Sequence, residues 1–335
     1  MLGMLKRAPS VVIGSDGGIT IAGSVVIDGH SHVSQRVRVV THIHSDHTVN
    51  LHESIKGSYR IAATQLTLSW LQVFGYSVAS PVSLEAGESI RLGDLRLRFL
   101  RSVHIPGTVQ VLVETDDGNR VLYSSDFKKP GDETPVEEAD VLVIDAVYGR
   151  PSYVREFDDY IEHLLVDLVK QLLAGGGVRI YGYYGKVNEV MSLLRQGGVD
   201  APFVLAPKVY MMTKKAESLG FRFGDYLLAG SRESREVIRG RWYVYLDHSS
   251  RATPGSRDVS TLILSGWEFR SPIRRVSGRT WHVAFSDHSD FRGLVRYVSG
   301  VRPRKLYVVK ARSNGAEEFA SYVAKNLGIQ EVLVV

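Results

Sequence analysis

Cysteine is absent from all 335 residues. That excludes disulfides and thiolate metal sites and suits a reducing compartment. No apolar run approaches the roughly 20 residues of a membrane-spanning helix. Met1 to Ser10 carry Lys6 and Arg7 with no apolar stretch behind them. The expectation is a cytoplasmic protein with no signal peptide and no membrane partner. Repeats and low-complexity segments are lacking too. A P-loop is excluded although Gly185-Lys186 follows a strand-like run: Ile180 stands where its first glycine belongs, and Val187 replaces the required Ser or Thr.

What is present exceeds one ordinary domain in length, so two domains, or one with a large insertion, are expected. The formal net charge is a modest +5. Much of the basic charge lies late, at Arg270, Arg274, Arg275 and Arg279, then Arg292, Arg296, Arg302, Arg304 and Lys305. Clustered charge of this kind permits a polyanionic partner, and it equally describes a solvated face.

The most informative stretch is Thr41-His42-Ile43-His44-Ser45-Asp46-His47, directly after the apolar run Val37 to Val40. A buried strand ending in a polar loop is the expected setting. His42 and His44, two apart, share one face of extended backbone and can grip one cation. Asp46 and His47, displaced into the following turn, can face a second. An all-nitrogen-and-oxygen donor set suits zinc, manganese or iron.

Short strands separated by Gly-rich turns precede this loop, and within them lies Asp28-Gly29-His30-Ser31-His32. The pattern resembles the first metal motif of the amidohydrolases, but a chain opening strand after strand does not suit their barrel. Asp28 is better placed to orient a ligating imidazole. Downstream, His104 and Asp126 each fall at a strand end and are expected on one sheet rim, as a third imidazole and a bridging carboxylate for a two-metal site. The strand Val141 to Ile144 ends in Asp145. Strand and helix then alternate, with helices expected over Val154 to Ala174, Lys186 to Arg195 and Tyr210 to Leu219, and a less regular basic stretch from Ser231 to Arg241. The first pattern is expected to return with a strand at Trp281 to Phe285, followed by Ser286-Asp287-His288-Ser289-Asp290.

His42-x-His44-x-Asp46-His47, His104 and Asp126, in this order at strand ends, resemble the metallo-β-lactamase fold. Asp145 and Phe285-Ser286-Asp287-His288-Ser289-Asp290 resemble the later motifs of its β-CASP nucleases. Tyr184-Gly185-Lys186 and Ser265-Gly266-Trp267 with its arginines resemble the ligase-associated DNA exonucleases. The resemblance implies an α/β architecture: a metallo-β-lactamase αββα sandwich from residues 1–150 and 281–335, with an inserted α/β β-CASP cap domain from 151–280.

It further implies a DNA exonuclease in repair or processing, with RNA as the alternative substrate, and association with a DNA ligase or helicase. His42, His44, His104 and Asp126 would hold a first zinc; Asp46, His47 and Asp126 would hold a second, with manganese as the alternative metal. Asp46, Asp126, His288 and Asp145 would be catalytic, His288 being paired with Asp145. Lys128, Lys186, Ser265, Ser286 and Arg270 would meet substrate, and Trp267 could stack on a base. One position departs from the pattern: Lys310 stands where the RNA-processing and ligase-associated members carry a histidine ligand and the Artemis-like DNA nucleases carry a valine. An ammonium there predicts a second metal held weakly or not at all, and a non-catalytic nucleic-acid-binding protein is the rival this raises.

Overall fold

A computed structural model describes residues 9–335, so Lys6 and Arg7, weighed with the leader, lie outside the described residues. The chain forms two compact units, residues 1–154 with 288–335, and residues 155–287.

The first unit stacks two sheets. One runs in the order Val11–Ile13, Ile19–Ile21, Val25–Ile27, Val37–Val39, Arg60–Ala63, Pro81–Ser83. It begins as an antiparallel meander and becomes parallel from Val25–Ile27 onward. The second runs in the order Glu331–Val334, Lys305–Val308, Val141–Ile144, Arg120–Tyr123, Val109–Thr115, Leu95–Arg101, Ser89–Leu92. Strand alternation builds two cores from this one sheet. Val111, Val121, Tyr123, Val141 and Val143 meet the first sheet, packing with Ile19, Val25 and Val39. Their neighbours Leu112, Leu122, Leu142 and Ile144 face the helices Phe291–Val301 and Ala316–Leu327. The helix Gln65–Val73, capped by the Thr64 hydroxyl, buries Trp70 beside the first sheet. Among the described residues no helix is long and apolar enough to cross a membrane.

The second unit has one sheet in the order Tyr226–Leu228, Phe203–Leu205, Val244–His248, Gly177–Gly182, Val259–Leu264, Thr280–Val283, Ile273–Ser277, parallel except at its last pair. Thr280–Val283 therefore pairs with Val259–Leu264 in this unit rather than returning to the first pattern. The stretch expected to be irregular contains the helix Arg232–Arg239. Apolar periodicity could not announce it, because only Ser234 is buried. Its signals are local: the Ser231 hydroxyl accepts from Ser234 N–H at 3.1 Å, and Arg232 meets Glu236 one turn on at 3.4 Å.

The arginine-rich segments fall in different units, and several of their charges are met locally: Arg274 by Glu268 at 2.6 Å, Lys305 by Glu331 at 2.9 Å, Arg304 by Asp140 at 3.8 Å.

Candidate metal centre

Strand ends of the first unit deliver the centre. Val37–Val39 leads directly into Thr41 and the histidine loop, Leu95–Arg101 into His104, Arg120–Tyr123 into Asp126, and Val141–Ile144 into Asp145. His288 lies just before the helix Phe291–Val301. Its segment is tied down where Ser289 N–H donates to Phe127 O at 2.6 Å and Phe291 N–H to Tyr153 O at 2.9 Å.

One carboxylate oxygen organises the cluster. Asp126 Oδ2 stands 3.4 Å from His42 Nε2, 3.3 Å from His47 Nε2 and 3.5 Å from His104 Nε2. His104 Nε2 is in turn 3.2 Å from His44 Nδ1. Donors about 2.0–2.1 Å from a tetrahedral zinc ion stand roughly 3.3–3.4 Å from one another. Among His42, His44, His104 and Asp126, three donor pairs stand at 3.2, 3.4 and 3.5 Å, close to those edge lengths, and all four donors lie within 4.8 Å of one another. His42 Nε2, His47 Nε2 and Asp126 Oδ1 are buried atoms with no hydrogen-bond partner. Buried polar atoms are rarely left so, and a cation accounts for them. The residues present fit a zinc-like metal.

The second half of the centre is His47 Nε2, Asp126 Oδ2 and Asp46 Oδ2, the last 3.6 Å from His47 Nε2 on a side chain 56% exposed. Burial alone would lower His47; Asp46, Asp126 and Asp28 outweigh it and hold the imidazole well above its ordinary pKa. Ligation would have to displace that proton. Burial works against the Asp126 carboxylate, but His288, His47 and His104 prevail and keep it well below the usual range.

Behind the cluster, Asp28 meets the imidazole of His47. It is fully buried, in left-handed backbone at φ 50°, and its Oδ2 lies 2.8 Å from His47 Nδ1. Thr41 donates to it twice, from N at 2.8 Å and from Oγ1 at 2.6 Å. Gly29 next to it touches Gly18 so closely that a Cβ would come within 2.2 Å of the Gly18 Cα. His30 bonds Ser54 Oγ at 2.9 Å instead of joining Asp28 around a cation, which disposes of the amidohydrolase pattern. Asp28→Asn is expected to weaken zinc binding about 10–100-fold, the usual cost of removing such support, as measured by competition with a chelating dye.

Two expectations need correction. His288 is not paired with Asp145: its Nδ1 lies 3.5 Å from Asp126 Oδ1. Asp145 is engaged by Arg312, whose Nε donates at 3.0 Å, and by the Tyr123 hydroxyl. Lys310 does not face the histidine cluster. Its ammonium meets Glu317 at 2.7 Å, and its side chain is 67% exposed. The three-residue turn Lys310–Arg312 sends Lys310 outward and Arg312 inward. Arg312 was missed in the sequence; its one signal was its place two residues beyond Lys310.

The substrate candidates divide between the units. Lys128 is buried in the first, with its N–H donating to Val103 O at 2.7 Å. In the second, Lys186 is buried and spent on Asp287 at 2.9 Å and on Phe285 O at 3.3 Å, so the helix it opens does not offer it to a phosphate. Ser265 Oγ accepts from Trp267 N–H at 3.1 Å, Ser286 is buried, Arg270 is exposed, and Trp267 is half exposed.

Residues 274–335 match the Zn-dependent metallo-hydrolase RNA specificity domain, RMMBL. An Acidianus ambivalens protein described as uncharacterized in the lig 3′ region is 38% identical over 139 residues, 42% of this chain and 99% of that one. A probable DNA ligase of Opitutus terrae is 25% identical across 82% of this chain, which spans only 27% of that relative. An RNase J-like protein of Methanocaldococcus jannaschii is 22% identical over 70% of this chain and 68% of its own length. A solved structure from Enterococcus faecalis, titled a protein of unknown function, shares the fold with a TM-score of 0.65 at 11% identity, over 89% of this chain and 79% of that one.

Proposed function

This chain belongs to the metallo-β-lactamase-fold β-CASP nuclease family, and from that premise we propose that it hydrolyses DNA from an end, in repair or processing. The observation that carries the hydrolytic reading is Asp126 Oδ2, within 3.3–3.5 Å of three imidazole nitrogens. His42, His44, His104 and Asp126 would hold a zinc or manganese ion, and Asp46, His47 and Asp126 form the half-site for a second. When bound, the metal supplies Lewis-acid polarisation of a phosphoryl oxygen and a water acidified toward neutral pH.

The protein's own groups do the rest. Asp126 orients its ring of imidazoles and binds metal. His288, steadied by Asp126, protonates the leaving oxygen or stabilises its charge. Asp145, fixed by Arg312 and Tyr123, is a positioning residue for the His47 side of the centre. Exposed Arg270 and Trp267 are the groups of the second unit suited to a phosphate and a base.

DNA is favoured by the two relatives whose descriptions refer to a ligase or its neighbouring region. RNA is the second reading, favoured by the RNA specificity match and the RNase J-like relative. Matched single-stranded DNA and RNA, labelled at either end, separate them: the DNA reading expects progressive shortening with the higher kcat/KM on DNA, and the reverse preference overturns it. Association with a ligase or helicase would be tested by co-purification with the neighbouring gene products.

A further inference from the structure

Arg312 is a buried cation inside the centre that neither the motifs nor the relatives' descriptions account for. It is only 6% exposed. Its guanidinium is held by acceptors from three separate chain segments: Asp145 Oδ2 from Nε at 3.0 Å, the Asp46 carbonyl from Nη1 at 3.2 Å, and the Gly17 carbonyl from Nη2 at 2.6 Å. The Tyr123 ring lies beneath it at 5.7 Å. So anchored, the group cannot swing away to admit another charge.

The half-site beside it shares its donors with its neighbours. It offers Asp46 Oδ2, His47 Nε2, an Asp126 oxygen already claimed by the first half, and Asp145, whose Oδ2 is held by Arg312. The position from which a fourth protein donor was expected, Lys310, points outward to Glu317. Arg312 cannot supply the ligand, because a guanidinium has five donors, no acceptor and no accessible neutral form.

We infer that Arg312 stands in for a second cation, its guanidinium providing the fixed positive charge of the Asp46–His47 half-site so that the centre takes one divalent ion. The inference rests on His42, His44, His104 and Asp126 being a metal site. It replaces repulsion by an ammonium at Lys310 with a guanidinium bound at short range to Asp145 and to the backbone of Asp46. A rival role for Arg312, a structural tie between the turn at Gly17 and the centre, makes no demand on how many ions bind.

Metal stoichiometry separates the two. Metal-stripped wild-type chain is titrated with Zn²⁺ against a competing chelator, and bound zinc per chain is counted independently by elemental analysis. One tight equivalent is expected, with any second at least about 100-fold weaker. Arg312→Met, which keeps length and removes charge, should tighten the second equivalent by about tenfold or more, while Arg312→Lys should keep the single-ion pattern. Two equivalents of comparable affinity in the wild type overturn the inference. So does a folded Arg312→Met, checked by circular dichroism, whose second equivalent binds no more tightly. If Arg312→Met does not fold, the wild-type stoichiometry alone decides. A wild type that binds no zinc contradicts the metal-site reading itself, and the inference with it.

Discussion

Asp126→Asn is expected to yield a folded protein that has lost tight zinc binding and essentially all turnover. The substitution keeps the shape of the side chain while replacing a charged oxygen by an amide that cannot serve both halves of the centre. Oδ2 is the atom nearest His42, His47 and His104, and Oδ1 faces His288 at 3.5 Å, so one change disturbs four imidazoles. Affinity for zinc should fall by about 100-fold or more, beyond the cost of losing a supporting residue. Turnover should fall by more than about 10⁴, since water acidified to a pKa near 7 is replaced by water near 15.7. Folding should survive, because asparagine keeps the volume of the buried side chain and the backbone carbonyl that accepts from Ser102 Oγ at 2.7 Å. Elemental analysis, circular dichroism and a single-turnover cleavage assay check the three parts. Normal zinc content with normal cleavage would remove Asp126 from the centre.

His288→Ala should separate chemistry from metal binding. The imidazole lies 3.5 Å from Asp126 Oδ1, the oxygen opposite the one shared by His42, His47 and His104, and its ring is tilted at 56° to that of His104 with centroids 4.6 Å apart. It is 20% exposed, the arrangement of a group that can meet a leaving oxygen. Removing a general acid costs about 10²–10⁴ in rate. Zinc per chain should be unchanged. A substrate whose scissile oxygen is replaced by sulfur provides the distinguishing readout, because a thiolate leaves without protonation. The variant should recover most of its loss on that substrate. A loss of the same size on both substrates would make His288 a structural neighbour of Asp126 and nothing more.

The clustering of the histidine loop was legible because its information is local. Residues two apart on a strand must share a face, and four donors at a strand end leave few other uses for them. His104 and Asp126 were legible for the related reason that sheet strands bring their ends to one rim. Asp28 was legible as a supporting carboxylate, and the structure places it on His47.

What escaped was decided by long-range pairing. Asp145 found Arg312, which lies far along the chain and which no spacing rule connects to it. Lys310 and Arg312 exchanged places because a three-residue turn rotates neighbours outward and inward, a difference invisible to a comparison made position by position. Thr280–Val283 was assigned to the wrong sheet because an apolar strand carries no mark of its partner. The helix Arg232–Arg239 was missed for the opposite reason, having caps and charge pairs but almost no buried face.

The central claim is metal-dependent phosphodiester hydrolysis at the Asp126 cluster. Its most direct test follows end-labelled single-stranded DNA with the wild-type chain as purified, after chelation, and after Zn²⁺ or Mn²⁺ is restored. The account predicts progressive cleavage that chelation abolishes and metal restores. Cleavage unaffected by complete removal of metal, or no cleavage of DNA or RNA with either metal restored, would contradict it.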